Sequence, residues 1–164
     1  MDGGGEHPGE PEGAAASGGR PDASRREMPD FVARFAGWWA DPDPATLGEL
    51  LAEDVVLVQP MLPTTRGLDA GRAAFTRLLG AIPDLRATVN AWAADGDLVF
   101  IDFTLDGTMG GRETAWRVVD RFTLDGDRAR ERVSYFDPLP LLAKAAHPAR
   151  WPAIAKLLAA SLRR

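Results

Sequence analysis

Two aspartates sit in the middle of apolar, strand-like runs: Asp102 in LVFIDFTL and Asp120 in WRVVDRFTL. An arginine, Arg132, follows in RERVSYFD. Aspartate is depleted in strands and costly to bury alone, so each needs a counterion, a task or both. A carboxyl group in an apolar setting holds its proton more tightly than in water, which suits a general acid or base near neutrality. Two such groups side by side push their pKa values apart and supply one base and one acid. A nearby arginine would orient the partner carboxylate or stabilise an enolate oxyanion. The chemistry these residues imply is proton transfer.

Whether the groups meet depends on strand register. A two-residue Asp125-Gly126 loop would oppose Asp120 to Glu131 and Arg121 to Arg130, both unfavourable like-charge pairs. A three-residue loop, Asp125 to Asp127, opposes Asp120 to Arg132, Arg121 to Glu131 and Val119 to Val133. The three-residue loop is therefore expected. One face of the hairpin then carries Trp116, Val118, Asp120, Phe122, Arg132, Ser134 and Phe136, and the other is wetter. Asp102 depends on the Gly110-Gly111 connection. If parity is kept there, Asp102 and Asp120 share the pocket face. If it slips by one, Asp102 pairs instead with Arg117 or Arg121 and is structural.

The elements that must position these residues follow from periodicity. Pro29 suits a helix start, and Phe35 with Trp38 or Trp39 continues a stripe from Phe31 to a stop near Asp41-Pro42. A short helix spans roughly Pro44 to Ala52, and a strand runs from Val55 to Gln59, stopped by Pro60. A third helix covers Ala70 to Leu79, with Phe75 on its apolar side. Strands follow at about Leu85–Ala93, Leu98–Leu105, Thr114–Leu124 and Arg128–Phe136, with Asp95-Gly96, Asp106-Gly107 and Asp125-Gly126 as turn signals. Helices first and a meander afterwards give an α+β fold, with helices over one face of a curved antiparallel sheet. Residues 1–27 are rich in Gly and Pro without an aromatic, so a disordered tail is expected. The remainder, 28–164, reads as one domain. It ends in an amphipathic helix from about residue 139, with Trp151, Ile154, Leu157 and Leu158 on one side.

Composition excludes several classes. The 164-residue chain has no cysteine, so disulfides and thiolate chemistry are absent. A net charge of −5 argues against nucleic-acid binding. No apolar run is long enough to span a membrane, and a cytoplasmic location is the default. His7 and His147 lack the spacing of a metal site. The bias toward Arg, Ala, Gly and Pro suggests a GC-rich bacterial genome.

The segments LLAEDVVLVQPMLPTTRGLDAGRAAF and DGDRARERVSYFDPLPLL resemble the nuclear transport factor 2-like, or SnoaL-like, superfamily. That resemblance implies a cone-shaped curved sheet around a central pocket, a cystatin-like architecture, and commonly a homodimer. It covers polyketide cyclases, ketosteroid isomerases, limonene-type epoxide hydrolases and non-catalytic binders. The closing Tyr-Phe-Asp-Pro is similar to the epoxide hydrolase branch. Asp102 matches the Asp of that branch's Arg-x-Asp, but Phe100 stands at the arginine. Ser134 replaces the closing Asp, and Leu57-x-Gln59 replaces Tyr-x-Asn.

The leading expectation is a cofactor-independent enzyme that cyclises or isomerises a hydrophobic, polyketide-like metabolite by general acid–base chemistry. Its catalytic candidates are Asp102, Asp120 and Arg132. Its substrate-binding candidates are Phe35, Trp38, Trp39, Gln59, Phe100, Trp116, Ser134 and Phe136. Epoxide opening is one alternative. A non-catalytic ligand-binding or dimerisation module is the other, and its signature would be a pocket filled by aromatic side chains.

Overall fold

The computed structural model describes residues 29–139 and 141. The expected N-terminal tail, and the C-terminal helix beyond residue 141, lie outside the described residues. Helix α1 (Asp30–Ala40) opens the fold, followed by a 3₁₀ helix (Pro44–Glu49), β1 (Leu51–Val58) and β2 (Thr65–Arg66). Helix α2 (Leu68–Ala81) then leads to β3 (Arg86–Asp95), β4 (Leu98–Met109), β5 (Arg112–Asp125) and β6 (Arg128–Tyr135). The six strands form one sheet in the order β2-β1-β6-β5-β4-β3. All neighbours are antiparallel except β1 and β6, which run parallel.

The α1 stripe forms the roof of the core. Phe31 meets the Phe122 ring edge-on at 5.0 Å, and Phe35 meets Phe103 at 5.1 Å. Edge-to-face pairs of this kind are favoured by the ring quadrupole. Trp38 contacts Trp39 at 5.1 Å and Phe75 of α2 at 5.4 Å, tying the two helices together. The Trp38 indole N–H also donates to the Asp43 carbonyl and to Thr46 Oγ1, both at 3.1 Å, anchoring the 3₁₀ helix. That helix is capped by Asp43, whose side chain accepts from the Ala45 amide.

Three corrections concern the sheet. The β5–β6 turn is the two-residue Gly126-Asp127, with Asp125 opposite Arg128. A bulge then leaves Arg130 without a partner, so Thr123 faces Glu131 and Phe122 faces Arg132. The bulge shifts the register by one residue beyond a turn that is itself displaced by one, so the pairing differs by two from the expected one and still avoids the like-charge ladder pairs. The second correction is at Asp106-Gly107, which lies inside β4 and is not a turn. A side chain at Gly107 would come within 2.7 Å of Ile82 and 3.2 Å of the Leu85 Cα, so a close approach explains this glycine. The third is at the sheet's far edge. There β1 begins earlier than expected, at Leu51, and pairs with the two-residue β2, which is too short to carry a period.

Candidate functional site

Strand β5 alternates cleanly, so Val118, Asp120 and Phe122 point toward the helices and are buried. Asp120 lies mid-sheet, opposite Ile101 on β4 and Ser134 on β6. It is 0% exposed. Arg132, one inward position nearer the turn, reaches it diagonally, its Nε donating to Asp120 Oδ2 at 2.5 Å. The arginine side chain is only 11% exposed, so this ion pair is inside the protein. Across the interior, the guanidinium lies 5.7 Å from the centre of the Phe75 ring, a cation–π arrangement that fixes its other side. Asp120 Oδ1 and Ser134 Oγ are both buried and meet no hydrogen-bond partner among the described residues.

Above this floor lies a cavity of about 20 Å³, walled by Phe31, Phe35, Trp38 and Trp39 of α1. Leu47, Leu50, Leu51, Phe75, Phe122 and Arg132 complete it. A void of this size holds roughly one water molecule. Among the described residues Arg132 is its one charged liner, and Asp120 lies beyond it. The arrangement can offer N–H donors to an oxygen inside an otherwise apolar, aromatic space. The buried carboxylate keeps that donor group aligned.

Asp102 does not join this cluster. It stands opposite Val119 on the other face of the sheet, where Arg117 Nε donates to its Oδ1 at 2.7 Å and Arg117 Nη2 to its Oδ2. Asn90, the bulged residue of β3, adds a longer bond at 3.4 Å. The Arg117 hydrogen bonds, assisted by Asn90, hold the Asp102 carboxyl below the usual carboxylate range despite opposing desolvation. The cause of this placement is the turn. Gly110 and Gly111 both have positive φ and pair Met109 directly with Arg112, so even-numbered residues of β4 face odd-numbered residues of β5. Of the two expected parities the structure takes the slipped one: Asp102 pairs with Arg117, and the two aspartates lie on opposite faces, which takes Asp102 out of the catalytic candidates.

The other expected residues divide. Phe35, Trp38 and Trp39 line the cavity, and Ser134 is buried on the same inner face as Arg132. Trp116 and Phe136 are half-buried against the core without reaching the cavity. Gln59 lies just past the end of β1, half-buried and also away from it. Phe100 shares the outer face with Asp102 and is 38% exposed, so it is corrected from pocket wall to surface. Sequence reasoning missed the roles of Phe75 and Phe122. Their signal was present in the apolar side of α2 and in the inward parity of β5. No group of three or more residues able to hold a metal ion exists among the described residues.

Comparison with known proteins settles the family. The SnoaL-like domain family matches residues 32–132, which is most of the described fold. The chain belongs to the SnoaL-like domain family. No curated protein matches. Among solved structures, a hypothetical protein of ketosteroid isomerase-like fold from Catenulispora acidiphila, in complex with trimethylamine, superposes with a TM-score of 0.68. It is 23% identical, over 76% of this chain and 98% of that one. A protein from a Jannaschia species, proposed to be a SnoaL-like polyketide cyclase, gives 0.64 at 20% identity, covering 76% and 99%. IdmH of Streptomyces antibioticus, a proposed polyketide cyclase, gives 0.62 at 23% identity, covering 70% and 95%. These likenesses establish the fold of the SnoaL-like chain. Among its described residues no helix is long and apolar enough to cross a membrane.

Proposed function

We propose that this SnoaL-like protein is a cofactor-independent enzyme that moves a proton at a carbon next to a carbonyl in a hydrophobic, polyketide-like molecule. The outcome would be cyclisation or isomerisation. The observation that carries this reading is the Arg132–Asp120 pair, with the guanidinium at the floor of an aromatic cavity and one Asp120 oxygen left unpartnered. The pair is neutral overall, so it suits an uncharged carbonyl in the ground state and stabilises the oxyanion that develops. Asp120, reached directly or through one water, takes the role of general base; Asp102 is too far around the sheet to do so. The polyketide cyclase names among the structural neighbours support the substrate class.

A second reading has its own observation. The interior is nearly filled by Trp38, Trp39, Phe35 and Phe75, as a non-catalytic binding module would be. In the enzymatic reading α1 and the 3₁₀ helix must move to admit substrate. Deuterium exchange at the α-carbons of simple cyclic ketones and 1,3-diketones, followed by NMR, separates the two. The enzyme reading expects catalysed exchange that falls by about 10²–10⁴-fold in Asp120→Asn and survives in Asp102→Asn. Binding without any exchange supports the module.

A further inference from the structure

Among the described residues, strand β5 has a ladder partner on only one side over its first half. From Arg112 to Val118 its ladder partners lie in β4 alone, because β6 stops at Tyr135, opposite Val119. A groove of about 490 Å³ lies around the tip of the β4–β5 hairpin and reaches the first residues of this half of β5. Asp84, Asp106 and Glu113 line it with Thr108, Thr114 and Ala115, and among the described residues no basic side chain does. Hydrogen bonds from Thr108 hold the Asp84 carboxyl below the usual range, so the groove stays negative at neutral pH.

The chain leaves the described fold at this end. Tyr135 lies across from Val119, and Ala115 is four residues farther along β5, about 13 Å away. Residues 142–164 then follow, with Lys144, Arg150, Lys156, Arg163 and Arg164 and no acidic residue after Asp137. Their apolar positions Trp151, Ile154, Leu157 and Leu158 recur at helical spacing. Half-buried Trp116 and Met109 lie on the strands that form the groove. Pro148 and Pro152 interrupt the segment, and a helix from Pro152 to Arg164 would span about 20 Å, enough to lie along the groove.

We infer that the acidic groove and the open half-edge of β5 are a docking surface for the chain's own basic C-terminal segment, residues 142–164. The segment brings positive charge to the three carboxylates and an apolar stripe to the hairpin tip. It also covers an edge that would otherwise offer unpaired backbone groups to another sheet.

The absence of cysteine allows a single spin label at Ala153→Cys in the full-length chain. The expected result is loss of the amide signals of Thr108, Glu113 and Ala115 in the labelled, dilute protein. Recovery of those signals is expected in Asp106→Lys/Glu113→Lys, which leaves the Asp84–Thr108 bond untouched. Recovery is also expected in about 1 M salt, where charges more than roughly 3 Å apart are screened. Unperturbed signals in the wild type overturn the inference. So does signal loss only when spin-labelled chains are mixed with isotope-labelled ones, which would assign the groove to a second copy. Broadening that survives both charge reversal and salt overturns the electrostatic match.

Discussion

Asp120 and Ser134 face each other directly across β5 and β6, both buried, while the ion pair that Asp120 makes runs diagonally to Arg132. Among the described residues the carboxylate is thus held by one oxygen only, and its charge is balanced by a single side chain. Arg132→Ala would strand that charge in the core, a loss of about 3–5 kcal/mol. Asp120→Asn keeps the shape and removes the charge, so it should cost less. Urea denaturation of the two variants measures the difference. Equal, small losses would contradict a desolvated pair.

The outer-face pair behaves differently with pH. The folded-state pKa of Asp102 is lowered, chiefly by the Arg117 hydrogen bond. Its contribution to stability is therefore fully present above the ordinary aspartate pKa of about 3.9 and disappears as pH falls through the lowered value. Asp102→Asn should flatten the acid limb of the stability profile below about pH 4 and leave the neutral-pH profile unchanged in shape. An acid limb that matches the wild type would show that the pair does not form in solution.

Gly107 tests the close approach of the β4 tip to the α2–β3 connection. In Gly107→Ala the new methyl meets Ile82 at 2.7 Å and the Leu85 backbone at 3.2 Å. Backbone must shift, at a cost of about 1–3 kcal/mol. Gly37→Ala, with open space around the new methyl, is the matched control and should be neutral or stabilising. Thermal melts of both variants report the contrast.

The outer sheet face leaves Tyr135 53% exposed and Phe100 38% exposed, among the ion pairs of Arg117 and Arg121. A homodimer through this face is the expected assembly. Light scattering should give twice the chain mass, and Tyr135→Glu should lower it to that of one chain. A monomer at high micromolar concentration rejects the assembly.

Much of the fold was legible because its signals are local. The α1 stripe, Pro29 at its start and the inward parity of β5 and β6 each come from a few neighbouring residues, and the structure agrees with all of them. The partnership of Asp120 with Arg132 was expected through a direct ladder pairing that does not form; the two still meet diagonally, because a register difference of two residues keeps both on the inner face. The misplaced parts depended on single-residue counts. The face of Asp102 was left open, because Gly110-Gly111 permits either parity, and the two-residue turn selects the outer face. The size of the cavity was not legible. How closely Trp38, Trp39 and Phe75 interlock depends on the distance between two helices, which no local pattern encodes.

The bulge at Arg130 has a consequence for how the hairpin can change length. It sets Ala129 and Arg132 on the inner face with two outward residues between them, so the turn half and the site half are joined by one surplus residue. Deleting Arg130 would yield an unbroken ladder in which Arg132 still faces Phe122 and Ser134 still faces Asp120. Deleting Val133 would turn Ser134 outward and leave Asp120 with a different neighbour. The site is therefore buffered against loss of a residue on the turn side of Arg132 and exposed to inversion by the same loss on the other side.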